Sequence, residues 1–213
     1  MANPVLLVTG FEPFGTHTLN PSADVAKAVA GQRVGGFQIE GAVLPVHHAE
    51  TVTRVQALLA DLAPAAVLHL GLAEGRPRLA LERVALNVMD YRIPDNAGFV
   101  AEGEPCVPGG PAAYVATLPL AEILAALRAQ GIPAYLSNTA GTFLCNQTLY
   151  ATLHEIERRG LAARAGFLHL PLSPEMVAAS GLDQPSLDVA LARRAVETAL
   201  GVVARALGPS QPA

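Results

Sequence analysis

Three short apolar runs, each closed by a glycine or a proline, most constrain what this chain can fold into. Val5-Leu6-Leu7-Val8-Thr9 ends at Gly10, Ala65 to Leu70 ends at Gly71, and Ala165 to Leu170 ends at Pro171. Uncharged runs of this length read as strands buried on both faces, as in a parallel sheet covered by helices. Further strands are expected over Gly36–Val46, Arg78–Val88 and Ile132–Leu136. Helical spacing falls between them, over Ser22–Gln32, His47–Leu62, Pro119 or Leu120 to Gln130, Phe143–Arg159 and Ser186–Leu207. The alternation predicts an α/β fold: one domain over residues 1–213, a three-layer sandwich with a mostly parallel mixed sheet flanked by helices. Sites in such sheets lie beyond the carboxyl ends of the strands. One stretch resists assignment, Asp90–Pro111, rich in Pro, Gly and charge. Its length points to a functional role or to packing on a neighbour.

Composition removes several classes of function. The net charge of −4 and a single lysine, Lys27, argue against nucleic acid or an anionic membrane as partner. No apolar run reaches the ~18–20 residues of a membrane span. Met1–Val8 lacks the basic start and cleavage site of a secretory leader. Two cysteines, Cys106 and Cys145, do not make a disulfide framework, and a reducing cytoplasm is the expected compartment.

Reactive side chains gather where strands end. Ser137-Asn138-Thr139-Ala140-Gly141-Thr142-Phe143-Leu144-Cys145-Asn146 joins a strand to a helix, and its Ser, Asn, Thr and Gly suit turn and N-cap positions. Cys145 then falls in the first helical turn, where unpaired N–H groups and the helix dipole favour a thiolate. A small buried apolar thiol is the competing role. Two histidines, His69 and His169, end buried strands, and on residues alone either serves as the base. Glu82 is a carboxylate in an apolar strand, either ion-paired with Arg76 or Arg83 or orienting that base. Gly10-Phe11-Glu12-Pro13-Phe14-Gly15 lacks the Lys-Ser/Thr of a phosphate loop; its phenylalanines suit an apolar pocket or a core cap. His47 and His48 open a helix and are expected in solvent. The six histidines and two cysteines show no metal-ligand spacing, so neither metal nor cofactor is expected.

Taken together, these stretches resemble the pyroglutamyl-peptidase I (pyrrolidone-carboxylate peptidase) family of cysteine peptidases over nearly the whole chain. Six blocks stand in register: Gly10–Gly15 with Asn20-Pro21; Gly75-Arg76 with Glu82–Asn87; Arg92–Gly98; Gly109–Tyr114; Ser137–Asn146; and Phe167–Pro171. The resemblance implies a phosphorylase/hydrolase-like fold and hydrolytic removal of an N-terminal pyroglutamyl residue from peptides. It implies Cys145 as nucleophile, His169 as base and Glu82 as orienter, with Arg92 aiding the backbone oxyanion donors. Phe11, Phe14, Asn20, Ile93 and Phe143 match residues that line the lactam pocket. A homo-oligomer, commonly a tetramer, is implied as well.

The departures lie in that pocket. Leu72 stands where the family commonly has glutamine, Val46 where it has threonine, and Leu144 where it often has valine. They motivate one alternative, a cysteine amidase acting on another small lactam or a γ-glutamyl substrate. A second is a non-catalytic binder of blocked N-termini. A nucleoside-phosphorylase-like enzyme would need a phosphate site, which the sequence does not offer. A pyroglutamyl end has no ammonium, so its pocket needs apolar walls with one donor and one acceptor rather than a carboxylate.

Overall fold

The computed structural model describes residues 4–181 and 183–208. The first half contains β1 (Val5–Phe11), α1 (Pro21–Val29), β2 (Arg33–Val34), β3 (Phe37–Leu44), α2 (His48–Leu62) and β4 (Ala66–Leu72). Then come β5 (Leu79–Glu82), β6 (Val84–Leu86), β7 (Met89–Asp90), β8 (Glu102–Glu104) and β9 (Ala113–Val115). The last third contains α3 (Leu120–Ala129), β10 (Ala134–Ser137), α4 (Leu144–Arg159), β11 (Arg164–Leu170), α5 (Pro174–Ser180) and α6 (Val189–Leu207).

Seven strands form one sheet in the order β10-β5-β11-β4-β1-β3-β2. Its neighbours run parallel except β5 against β11 and β2 against β3, so the sheet is mixed and mostly parallel. The two-residue side-chain period divides each apolar strand between two cores. Leu6, Val8, Leu68, Leu70, Leu168 and Leu170 enter the core beneath α1, α3 and α6. Leu7, Val67, Ala165 and Phe167 enter the opposite core, beneath α2 and α4. That parity sends His69, Gly71 and His169 toward α4.

Several boundaries differ from the sequence expectation for local reasons. The strand expected over Arg78–Val88 is two strands. At Arg83 the backbone leaves the central sheet, its N–H donating to Ser137 O at 2.9 Å and its carbonyl accepting from Ala116 N at 2.8 Å. Beyond it β6 pairs with β9. The first helix stops at Val29, and Gly31 N–H turns to the Ile39 carbonyl at 2.9 Å. The closing helix starts at Val189, where Asp188 caps the Leu191 N–H at 3.0 Å. The helix α5 was not expected, although Ser173 caps it, Pro174 opens it and Gly181 closes it in left-handed conformation. At seven residues it is too short to show a period.

The Asp90–Pro111 stretch is ordered around one buried carboxylate. Asp95 accepts backbone N–H bonds from His48, Ala97 and Phe99, each at 2.9 Å, and a side-chain bond from His48 Nδ1 at 3.2 Å. Burial acts to raise this carboxyl, but those donors outweigh it and hold it below the ordinary range. The result is a wall for the site at the carboxyl ends of the strands.

Candidate active site

Cys145 is the second residue of α4. The N-cap is Phe143, in extended conformation and with no side-chain cap, so the polar residues before it form the turn and not the cap. Thr142 fixes that turn to the wall: its hydroxyl donates to Asp90 O at 2.7 Å, and its carbonyl accepts from Asp90 N at 3.0 Å. Asn146 secures the helix start from behind. Its Oδ1 accepts from Leu86 N at 2.8 Å, while its Nδ2 donates to Leu86 O at 2.9 Å and Val88 O at 3.0 Å.

His169 is the next-to-last residue of β11 and is 4% exposed. It stands beside Gly71 of β4 in register. A Cβ built on Gly71 would lie 2.8 Å from the Cys145 sulfur and 2.7 Å from the Phe167 ring. Strand neighbours are ~5 Å apart and point to the same face, so the imidazole leaves the sheet beside the space the sulfur fills. Nδ1 of His169 donates to Glu82 Oε1 at 2.7 Å. Glu82, fully buried on β5, also accepts from Arg76 Nη1 at 2.7 Å. Both roles foreseen for Glu82, ion pair and imidazole partner, are therefore filled at once, by Arg76 and not by Arg83. Arg83 instead reaches Asn138 at 3.4 Å.

His69, the rival base, is a core residue. Thr9 Oγ1 lies 2.7 Å from its Nδ1 and Thr152 Oγ1 2.8 Å from its Nε2. Because Thr152 gives its own hydrogen to Thr148 O at 2.8 Å, it accepts from His69, which places the ring proton on Nε2. Burial pushes His69 down to about 3.

A cavity of about 580 Å³ joins these groups to solvent. Cys145, His169 and Arg92 are on its wall, with Glu82 behind. The residues expected in the pocket, Phe11, Phe14, Asn20, Val46, Leu72, Ile93, Phe143 and Leu144, all line it. Phe14 and Tyr91 flank Phe143 at 6.0 and 4.6 Å between ring centroids. Phe11 serves core and pocket together, at 3% exposure. Asn20 is also structural, since its Oδ1 caps α1 through Ser22 N at 3.1 Å and its Nδ2 donates to Glu12 O at 3.0 Å. Sequence reasoning missed Ala73, Glu74, Arg76, Asp90 and the Ala140–Thr142 turn as lining residues. Position just after β4 and just before α4 was the available signal.

The surroundings of Cys145 act against the thiolate expected from helix position. Burial, then the charge of Glu82, pushes the Cys145 thiol up to about 12, against a smaller pull from Arg76 and its own N–H. Burial also lowers His169; Glu82 opposes this incompletely, and Arg76 adds to it. For Glu82 burial acts upward, but the bond and charge of His169, with Ser137 and Arg76, hold it below its ordinary value. The free site thus holds thiol, neutral imidazole and carboxylate at neutral pH. No hydrogen bond joins Sγ to His169 among the described residues.

His47 and His48 are not simply solvated. His47 Nδ1 caps α2 by accepting from Ala49 and Glu50 N–H, and His48 stacks on Phe99 at 3.7 Å. Ligand atoms of His47, His48 and Asp95 converge within 4.8 Å, a convergence the sequence spacing did not show. Asp95 already accepts four bonds, one of them from His48 Nδ1, and His47 Nδ1 holds the helix cap.

Comparison with known proteins places the chain in a family. The family model described as pyroglutamyl peptidase matches residues 5–206. The pyrrolidone-carboxylate peptidase of Pyrococcus furiosus is 42% identical over 200 residues, covering 92% of this chain and 96% of its own. That of Deinococcus radiodurans is 45% identical over 206 residues, covering 96% and 94%. A crystal structure of the pyrrolidone carboxyl peptidase from P. furiosus superposes with a TM-score of 0.93 at 41% identity, covering 95% of this chain and 99% of that one. This chain belongs to the pyroglutamyl peptidase family.

Proposed function

We propose that this chain, working as one domain, is a cysteine peptidase that hydrolyses the bond after an N-terminal pyroglutamyl residue. Cys145 is the nucleophile, His169 the base and then the acid, and Glu82 the group that orients the imidazole. The observation that carries it is the buried Glu82–His169 hydrogen bond of 2.7 Å opening on the cavity that also holds Cys145.

As Sγ attacks the pyroglutamyl carbonyl, its proton passes to His169 Nε2, and Glu82 stabilises the imidazolium through Nδ1–H. The oxyanion is held by N–H groups free at the α4 N-terminus, with Arg92 across the cavity. The C–N bond breaks, and His169 gives the proton to the leaving amine. Water then attacks the thioester with His169 as base, releasing pyroglutamate and restoring the thiol. Phe14, Phe143 and Val46 supply apolar walls for the lactam ring. A free amino terminus would leave an unpaired ammonium there, which is strongly disfavoured.

The apolar Leu72 and Val46 support the second reading, another small lactam or a γ-glutamyl amide as substrate. A homo-oligomer belongs to the proposal, supported by exposed Val115 (68%), Val100 and Ile93. So does a reducing cytoplasm, supported by two free cysteines. No helix among the described residues is long and apolar enough to cross a membrane. The test is turnover of a pyroglutamyl aminocoumarin amide beside glutaminyl, prolyl and γ-glutamyl amides. Rapid turnover of the first alone is expected, abolished by Cys145→Ala and kept by Cys106→Ser; equal activity of both variants would sink the assignment.

A further inference from the structure

Glu82 takes His169 and Arg76 on the same oxygen, each at 2.7 Å, while its Oε2 is buried without a partner. Ser137, opposite Glu82 in the β10–β5 ladder, is shared: its hydroxyl lies 3.1 Å from Thr139 O and also helps to lower the Glu82 carboxyl, but it brings no charge. Arg76 differs from an ordinary buried counter-ion in where its other side faces. Its side chain is 28% exposed and lines the cavity beside Cys145.

We propose that Arg76 is a positioning residue of the hydrolysis, fixing the Glu82 carboxylate on His169 and countering its charge at the two atoms that exchange the proton. It rests on the triad proposed above. A carboxylate this deep stays ionised only with a partner. Paired with His169 alone, it would repel a thiolate on Cys145 and make the imidazole too strong a base to release its proton. Arg76 acts against Glu82 at both places, favouring the thiolate and disfavouring the imidazolium. The guanidinium does this from the cavity edge without occupying the pocket.

Other charges face the same space and do not replace it. Glu74 and Asp90 on the cavity wall are acidic, and Glu74 is engaged with His17 at 2.5 Å. Arg92 is on the wall too, with no ion pair to Glu82 among the described residues. Arg83, next to Glu82 in sequence, points to Asn138.

The experiment compares wild type, Arg76→Gln and Arg76→Lys by pH–rate profiles with a pyroglutamyl aminocoumarin amide, and by iodoacetamide alkylation of Cys145. Arg76→Gln is expected to lower kcat at least about tenfold with KM within about twofold, and to move the acid limb up by about one pH unit. Alkylation should need higher pH by a similar amount, and Arg76→Lys should recover most of both shifts. An unmoved acid limb in Arg76→Gln, or a loss confined to KM, would overturn the role. Should Arg76→Gln fail to fold, Arg76→Met takes its place with the same outcomes: a limb moved up supports the role and an unmoved limb overturns it. Cys145→Ala and His169→Ala run in parallel. If either is active the triad falls; if both are dead and the limb has not moved, only the Arg76 role falls.

Discussion

Gly71 and His169 are partners across the β4–β11 ladder, and the side chain Gly71 lacks is where the Cys145 sulfur sits. The thiol and the imidazole proposed as nucleophile and base are thus brought together by an absence in one strand. Gly71→Ala places a Cβ 2.8 Å from Sγ and 2.7 Å from the Phe167 ring, so sulfur and ring must both move. Overpacking of this kind costs ~1–3 kcal/mol, while a 1 Å misplacement of a reacting group costs ~10²-fold in rate. Gly71→Ala is expected to fold, with a lowered Tm, and to lose about two orders of magnitude in kcat. A variant with wild-type kcat would show that the sulfur does not depend on this space.

The half-buried thiol of Cys145 sets the pH dependence of alkylation. With Cys145 pushed up to about 12, iodoacetamide should inactivate the free enzyme slowly at pH 7 and ever faster up to pH 10. Cys106, pushed up to about 11 by burial, has a similar slope, so the reaction is followed by loss of activity and by peptide mapping. 2-Pyrrolidone should protect Cys145 and leave Cys106 unchanged. An inactivation rate already at plateau below pH 7 would mean a standing thiolate, contrary to the resting state described above.

The sheet was legible in the sequence because its central strands carry uninterrupted apolar runs, and Leu168 and Leu170 against Phe167 and His169 already encode which face meets α4. The family blocks pointed to the proposed triad and to the pocket residues; Cys145, His169 and the pocket residues line the cavity, with Glu82 behind. What remained hidden depends on distance in space. Thr9 and Thr152, 60 and 83 positions from His69, make that histidine structural. Arg76 and Arg83 are both near Glu82 along the chain, and only the backbone's exit from the sheet at Arg83 decides between them. The balance at Cys145 was hidden for a related reason: the pull of a helix start is local, whereas the burial that pushes the thiol up comes from the whole fold.

Asp95 offers a test of the wall that is separate from the chemistry. Its carboxylate gathers three backbone N–H groups from two segments, and an apolar replacement strands them. Each orphaned buried donor costs ~1–3 kcal/mol, so Asp95→Ala should lose about 3 kcal/mol or more in urea unfolding. Arg92 and Ile93, just before it, should drift, raising KM for pyroglutamyl amides severalfold while kcat changes less. A variant that lowers kcat alone, at unchanged stability, would place Asp95 in the reaction rather than in the wall.

His69 predicts the acid limit of stability. Its folded value is about 3, against ~6.5 for an unperturbed histidine. The unfolded chain therefore takes up a proton below pH 6.5 that the native protein refuses. Stability is complete above that pH and falls by ~1.4 kcal/mol per pH unit as pH drops toward 3. His169, also lowered by burial, adds to the same slope, and the depressed carboxyls of Glu82 and Asp95 begin to contribute only at lower pH. In urea titrations from pH 7.5 to 4.5, wild type should lose stability steadily below pH 6.5. His69→Gln, whose amide retains a donor and an acceptor for the two threonines, should start less stable and decline with a shallower slope. Parallel slopes for the two proteins would show that His69 is protonated in the native core, and the neutral Thr9–His69–Thr152 chain would have to be redrawn.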